Sequence, residues 1–229
     1  MILGVLQGRA PASASVEPPL RQIPTELADG RSLGRADAPV TLEVWSDFQC
    51  PACGVFAADT EPTLALDQVA AGILRIEAHD AAFIGQRVGR SYDESVEAAA
   101  GARCAAEQNR FWPFHDYLYA NQDRENAGAF SDERLTAVAT AVGLDVPAWQ
   151  ACRDAGTARA AVREETRLAR EQGIDSTPTL RIAGQTLVGA ASAEDIAAII
   201  RAAVPSAPAA SPSPVTSPGP STAVPSGSP

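Results

Sequence analysis

The stretch Val40–Phe56, VTLEVWSDFQCPACGVF, decides how the rest of the chain is read. Its first part, Val40–Trp45, is a short apolar and β-branched run that predicts a strand. A helix is expected to open near Cys50 and Pro51 and to run toward Val69, bent at Pro62. A single C-x-x-C, Cys50-Pro51-Ala52-Cys53, therefore falls where a strand hands over to a helix. The unpaired N–H groups and positive dipole end of a helix N-terminus favour an anion, so Cys50 is expected to hold its sulfur largely as thiolate. Cys53, three residues on, shares a helical face with Cβ atoms about 5–6 Å apart, within reach of a small disulfide ring and more buried. Cys50 is thus the expected reactive sulfur and Cys53 its resolving partner. Pro51 suits the first helical position, having no N–H to leave unpaired and a φ already helical.

Outward from this stretch, a second strand is expected at 73–78, followed by helical patterning at 94–108, 111–120, 132–142, 147–154 and 158–172. Short strands at 179–182 and 185–188 are joined across Ala183 and Gly184, a two-residue hairpin turn, and a closing helix at 193–203 has Ser192 as its N-cap. The order is β, α, β, a block of helices, β, β, α, an α/β chain.

The 229 residues are 45% apolar and 20% charged, with 28 acidic residues against 18 basic and a formal net charge of −10. Nucleic-acid affinity rests on clustered cations, so nucleic acid is not an expected partner. Every basic residue is Arg, which excludes Schiff-base chemistry and a phosphate-loop lysine. No stretch reaches the ~18 consecutive apolar residues that span a bilayer. Residues 1–6 are apolar but lack the basic flank and the roughly 7–15-residue apolar core of an export signal. Residues 1–34 read as an irregular surface leader, 35–204 as one packed domain, and 205–229, uncharged and rich in Pro, Ser and Ala, as a disordered tail, either inert or a stalk or spacer.

The motif and its surroundings carry a family resemblance. VTLEVWSDFQCPACGVF, GARCAAEQNRFWPFHDYLYANQ (101–122) and GIDSTPTLRIAG (173–184) together resemble DsbA-type thiol:disulfide oxidoreductases, over nearly all of residues 35–204. The resemblance implies a thioredoxin-like fold with a helical insertion, here about 81–156. It also implies a cis proline facing the C-x-x-C, by position Pro178 after Thr177. The exposed backbone of Thr177 would pair with an extended substrate segment, and Phe48 and Gln49 are the residues expected to line such a groove. Ala52 stands where family members with His gain a further partner for the thiolate, which implies a milder oxidant. Thioredoxin-fold enzymes often place a buried acid six residues before the first cysteine. Here that position is Val44, and Glu43, one residue earlier, points to the opposite face of a strand. Asp47 is left with two readings, aiding the dithiol or shaping the loop before the helix.

Cys104 and Cys152 lie in separate predicted helices, and three readings stand: free buried thiols, a relay to Cys50 and Cys53, or a structural disulfide, the expected one where an oxidase works. Zinc on the four cysteines is disfavoured, because a structural site draws on paired close spacings and there is one such pair; no metal set and no cofactor is expected. His115 sits in the aromatic helix FWPFHDYLY and reads as a core ring beside Trp112 and Tyr119, whereas His79 ends a strand with no partner visible in sequence.

The expected function is disulfide introduction into exported proteins by exchange through Cys50 and Cys53. The substrates would be unfolded or reduced exported proteins. The resemblance adds a membrane quinone-linked reoxidase, DsbB-like or vitamin K epoxide reductase-like. The setting would be extracytoplasmic, the cell envelope or secreted, with any anchor on a segment absent from this chain, and the protein monomeric. A reductase or isomerase, and a non-enzymatic thioredoxin-fold binding or chaperone-like module, are the alternatives.

Overall fold

The computed structural model describes residues 15–88 and 91–204. At its centre lies β3 (Val40–Ser46), whose even-numbered Leu42 and Val44 are buried among core side chains. β3 pairs in parallel with β4 (Leu74–Asp80) from Val40↔Leu74 to Ser46↔Asp80. A parallel pair needs a long crossover, and residues 51–69 supply it as a helix. That helix alternates α and π turns: α1 (Pro51–Val55), a π segment at Phe56–Thr60, α2 (Glu61–Leu64) and a second π segment at Ala65–Val69. The break expected at Pro62 thus takes the form of a widened turn. Pro62 has no N–H to donate and its ring crowds the carbonyl four residues back, which the π segment just before it accommodates.

On the other side β3 pairs antiparallel with β5 (Thr179–Ile182), which turns into β6 (Gln185–Val188). Ala183 and Gly184 both have positive φ, 48° and 75°, the backbone a two-residue hairpin of matching twist demands. The sheet is completed at its far edge by β1 (Ala28–Asp29) and β2 (Ser32–Leu33), giving the order β1-β2-β4-β3-β5-β6. Here the leader expected to be irregular through residue 34 is corrected. The hairpin turning at Gly30 docks antiparallel on β4, with Leu33 opposite Ile76, and Ile23 and Leu33 are buried. Two-residue strands carry too little alternation to register as a period. The apolar segment at 1–6 and the tail at 205–229 lie outside the described residues.

Between β4 and β5 come α3 (Glu94–Ala106), α4 (Phe111–Ala120), α5 (Asp132–Ala141), α6 (Val146–Asp154) and α7 (Thr157–Glu171), and α8 (Ala193–Ala203) closes the chain. The side chains of Asp93, Ser131, Asp145 and Ser192 accept backbone N–H groups in the first turns of α3, α5, α6 and α8. α3 is buried along most of its length because its Ala-rich sequence lets neighbours approach. A Cβ at Gly101 would stand 3.2 Å from Phe114 and 3.3 Å from Trp149, whose indole N–H donates to the Gly101 carbonyl at 2.9 Å. Among the described residues no helix is long and apolar enough to cross a membrane.

Candidate active site

Because β3 is central, the loop that leaves its C-terminal end is held from several sides. Asp47, fully buried, accepts from the backbone N–H of Gln49 (2.9 Å) and of Ile84 (2.9 Å) and from the Ser95 hydroxyl (2.8 Å). The Cys50 N–H donates to the Asp47 carbonyl at 2.9 Å. Gln122, at the end of the aromatic helix, donates its amide to the carbonyls of Phe48 (2.7 Å) and Cys50 (2.9 Å). Gly54 leaves the space this needs, since a Cβ there would meet the Gln122 Oε1 at 2.5 Å. Cys50 is consequently fixed as the residue preceding α1, with extended backbone (φ −75°, ψ 120°) and Pro51 first in the helix.

Both cysteines are free thiols, Cys50 7% and Cys53 1% exposed. Thr177–Pro178 is a cis peptide bond, and the Cys50 thiol donates to the Thr177 carbonyl at 3.2 Å. Hydrogen bonding from Cys53 is the main cause that lowers the Cys50 thiol to a pKa of about 5; burial opposes it, and the Thr177 side chain and the N–H groups of Cys53 and Ala52 add to it. Burial, reinforced by Cys50, pushes the Cys53 thiol well up. One sulfur is therefore a ready nucleophile and leaving group and the other a buried thiol. Burial also takes the Asp47 carboxyl up to about 6 against the hydrogen bonds it accepts. These contacts support both readings of Asp47: it shapes the loop, and it titrates beside the dithiol.

Ile84, Ala52 and Tyr119 pack on the two sulfurs. Behind Tyr119 lies a buried polar group: the His115 ring is 4.8 Å from Tyr119 and 5.3 Å from Trp112, with Nε2 3.3 Å from Glu61 and Nδ1 3.0 Å from Asp116. Burial raises Glu61 to about 7. The same desolvation would depress His115, but Glu61 and Asp116 hold it above its ordinary value.

The structure brings Cys50, Cys53, Pro51, Ala52, Thr177 and Pro178 into one place. It does not leave Phe48 and Gln49 open to line a groove, which corrects that expectation: they are 5% and 2% exposed. The Gln49 side chain is consumed inside, donating to Ser95 at 2.8 Å and accepting from the Asn126 N–H at 2.6 Å, and Phe48 packs on Tyr119 at 5.0 Å. Gln122, Ser95, Ile84 and Glu61 were not foreseen, since their roles depend on contacts across the helical block. Cys104 and Cys152 form a disulfide, Cα atoms 5.8 Å apart, linking α3 to α6.

The family model described as Thioredoxin matches residues 26–202 of this sequence. The chain belongs to the thioredoxin family. Within it, the probable disulfide bond formation protein D of Bacillus cereus is 30% identical over 109 residues, 47% of this chain and 48% of that protein. The chain thus spans about half the length of that relative and of its Bacillus anthracis counterpart. Crystal structures of BdbD from Bacillus subtilis (TM-score 0.67, 22% identity, 82% of this chain and 98% of that one) and of oxidised DsbA from Mycobacterium tuberculosis (TM-score 0.62, 26% identity, 76% and 88%) superpose on it. The thioredoxin-like fold with a helical insertion is thereby established for this chain.

Proposed function

We propose that this thioredoxin-family protein is a thiol:disulfide oxidoreductase that introduces disulfides into exported proteins through the Cys50/Cys53 pair. The observation that carries the reading is the asymmetry of the two sulfurs: Cys50, at the helix start beside cis Thr177–Pro178, titrates near 5, while Cys53 is buried and held protonated. The relatives named for disulfide bond formation support the same chemistry.

In the oxidised enzyme a substrate thiolate attacks the Cys50 sulfur, forming a mixed disulfide and expelling Cys53, which takes up a proton. A second substrate thiolate then attacks the substrate sulfur of that mixed disulfide, leaving with a new disulfide and releasing Cys50 as a stabilised thiolate. The substrate dithiol loses two electrons and the enzyme gains them; a membrane quinone-linked reoxidase is the partner that would remove them. A stable Cys50 thiolate favours the reduced enzyme and so makes the oxidised enzyme a donor. The Thr177 backbone, at the dithiol, supplies main-chain pairing for an extended substrate. An extracytoplasmic setting is supported by the Cys104–Cys152 disulfide, a cross-link that persists where the environment is oxidising.

The test is the reduction potential of Cys50/Cys53, by equilibration with glutathione in a Cys104→Ser, Cys152→Ser background. A value on the DsbA side of the scale, toward about −120 mV, is expected; one near thioredoxin's, about −270 mV, would assign the protein to reduction instead.

A further inference from the structure

On the sheet face opposite Leu42 and Val44, the parallel register sets Glu43 beside Glu77 and Trp45 beside His79. Like charges on neighbouring strands repel, so this arrangement costs stability unless something positive sits between them. Arg75 satisfies one Glu77 oxygen at 3.0 Å. Arg181, opposite Glu43 in β5, is turned elsewhere: its guanidinium bonds the Gln172 side chain and carbonyl, each at 2.8 Å, and lies over the Trp45 ring. Among the described residues Glu43 is left with His79 alone, 3.9 Å away.

His79 is held in one orientation. Its ring stacks on Trp45, centroids 4.6 Å apart and planes 15° from parallel, and its Nδ1 lies 2.8 Å from Glu165. Glu165 is fixed as a carboxylate between Arg31 and Arg103 and can only accept, so Nδ1 carries the proton. In the neutral ring Nε2 then has a free lone pair. That atom is buried, has no hydrogen-bond partner, and faces the carboxylates. A carboxylate holding one imidazole nitrogen so that the other is presented as a ligand is the arrangement that orients metal-binding histidines. Ligand atoms of Glu43, Glu77 and His79 lie within 4.8 Å of one another. Metal–ligand bonds of about 2.0–2.2 Å place ligand atoms ~3.4 Å apart around a tetrahedral centre, a distance small turns of the two part-exposed carboxylates reach.

We propose that Glu43, Glu77 and His79 form a binding site for a divalent first-row transition cation, separate from the dithiol, with water completing the coordination. One imidazole and two carboxylates suit Zn2+ and its neighbours in that row rather than Ca2+ or Mg2+, which take oxygen. The residues of this sequence outside the described segments contain no His, Cys, Asp or Glu.

The test is calorimetric titration of Zn2+ into the full chain carrying Cys50→Ser and Cys53→Ser, which removes the free thiols as competing ligands. One equivalent is expected to bind and to raise Tm, with His79→Gln abolishing the binding and Glu43→Gln weakening it at least about tenfold. Glu43 is part-exposed, so its variant keeps the fold, and the thermal transition without metal checks both variants. Absence of binding at millimolar Zn2+, or binding that either folded variant leaves unchanged, overturns the proposal.

Discussion

At the residue scale the chemistry rests on how differently a few groups titrate. With Cys50 at about 5 and an unfolded thiol near 9, the folded pKa is depressed. Its contribution to the reduced protein is therefore fully present above pH 9 and is lost as pH falls through 5. Thiolate absorbance near 240 nm should show one midpoint close to pH 5 that disappears in Cys50→Ser and persists in Cys53→Ser, moved upward because Cys53 is the principal hydrogen-bonding partner. Asp47 runs the opposite way. Its folded value of about 6 lies above the ordinary 3.8, so its contribution is full below pH 4 and is lost as pH rises through 6. Asp47→Asn should abolish that slope but leave one of the N–H groups of Gln49 and Ile84 without an acceptor, since they bond different carboxylate oxygens and an amide offers only one. We expect a net loss of about 1–3 kcal/mol at neutral pH, read as a lower urea midpoint at constant m.

At the element scale the loop between β3 and α1 is braced by Asp47 within its own sequence and by Gln122, just past the end of α4, from outside it. Gln122→Ala removes both bonds to the Phe48 and Cys50 carbonyls and should cost about 1–2 kcal/mol, again measured by urea unfolding. Gly101→Val should cost about 1–3 kcal/mol by overpacking where α3 meets Phe114 and Trp149, with the Cys50 titration unmoved. The same contrast explains what could be read from the sequence. The Cys50–Cys53 junction, the Ala183–Gly184 turn and the Ser192 cap are local devices, so residue type and spacing expose them. The β1–β2 hairpin is too short to carry a period. Phe48 and Gln49 looked available because they precede the dithiol, yet Ser95 and Asn126, 46 and 77 residues away, enclose Gln49. His79 looked solitary because Trp45, Glu43 and Glu165 reach it only across strands and a helix.

For the whole molecule, the helical block and the thioredoxin sheet meet at the dithiol but are stabilised by different means. α3 and α6 are tied by the Cys104–Cys152 disulfide, by Trp149 on Gly101, and by Arg153, buried and bonded to Glu97 at 2.9 Å, while Arg153 also reaches Asp132 of α5 at 2.6 Å. The disulfide closes a loop with a sequence separation of 48, and such a cross-link restricts the unfolded chain by about 4 kcal/mol at 25 °C. Replacing both residues by Ala should therefore lower unfolding stability by an amount of that order. It should also raise m, because the released chain exposes more surface when unfolded. Trp149 and the Arg153–Glu97 ion pair still dock α6 on α3 in the native state, so the far-UV circular dichroism should not change. The Cys50 titration should also stay near 5, since the groups that set it come from α1 and from the Thr177 turn before β5. A shift of that midpoint in the doubly substituted protein would instead mean that the cross-link reaches the site, and that the block governs the dithiol rather than only covering it.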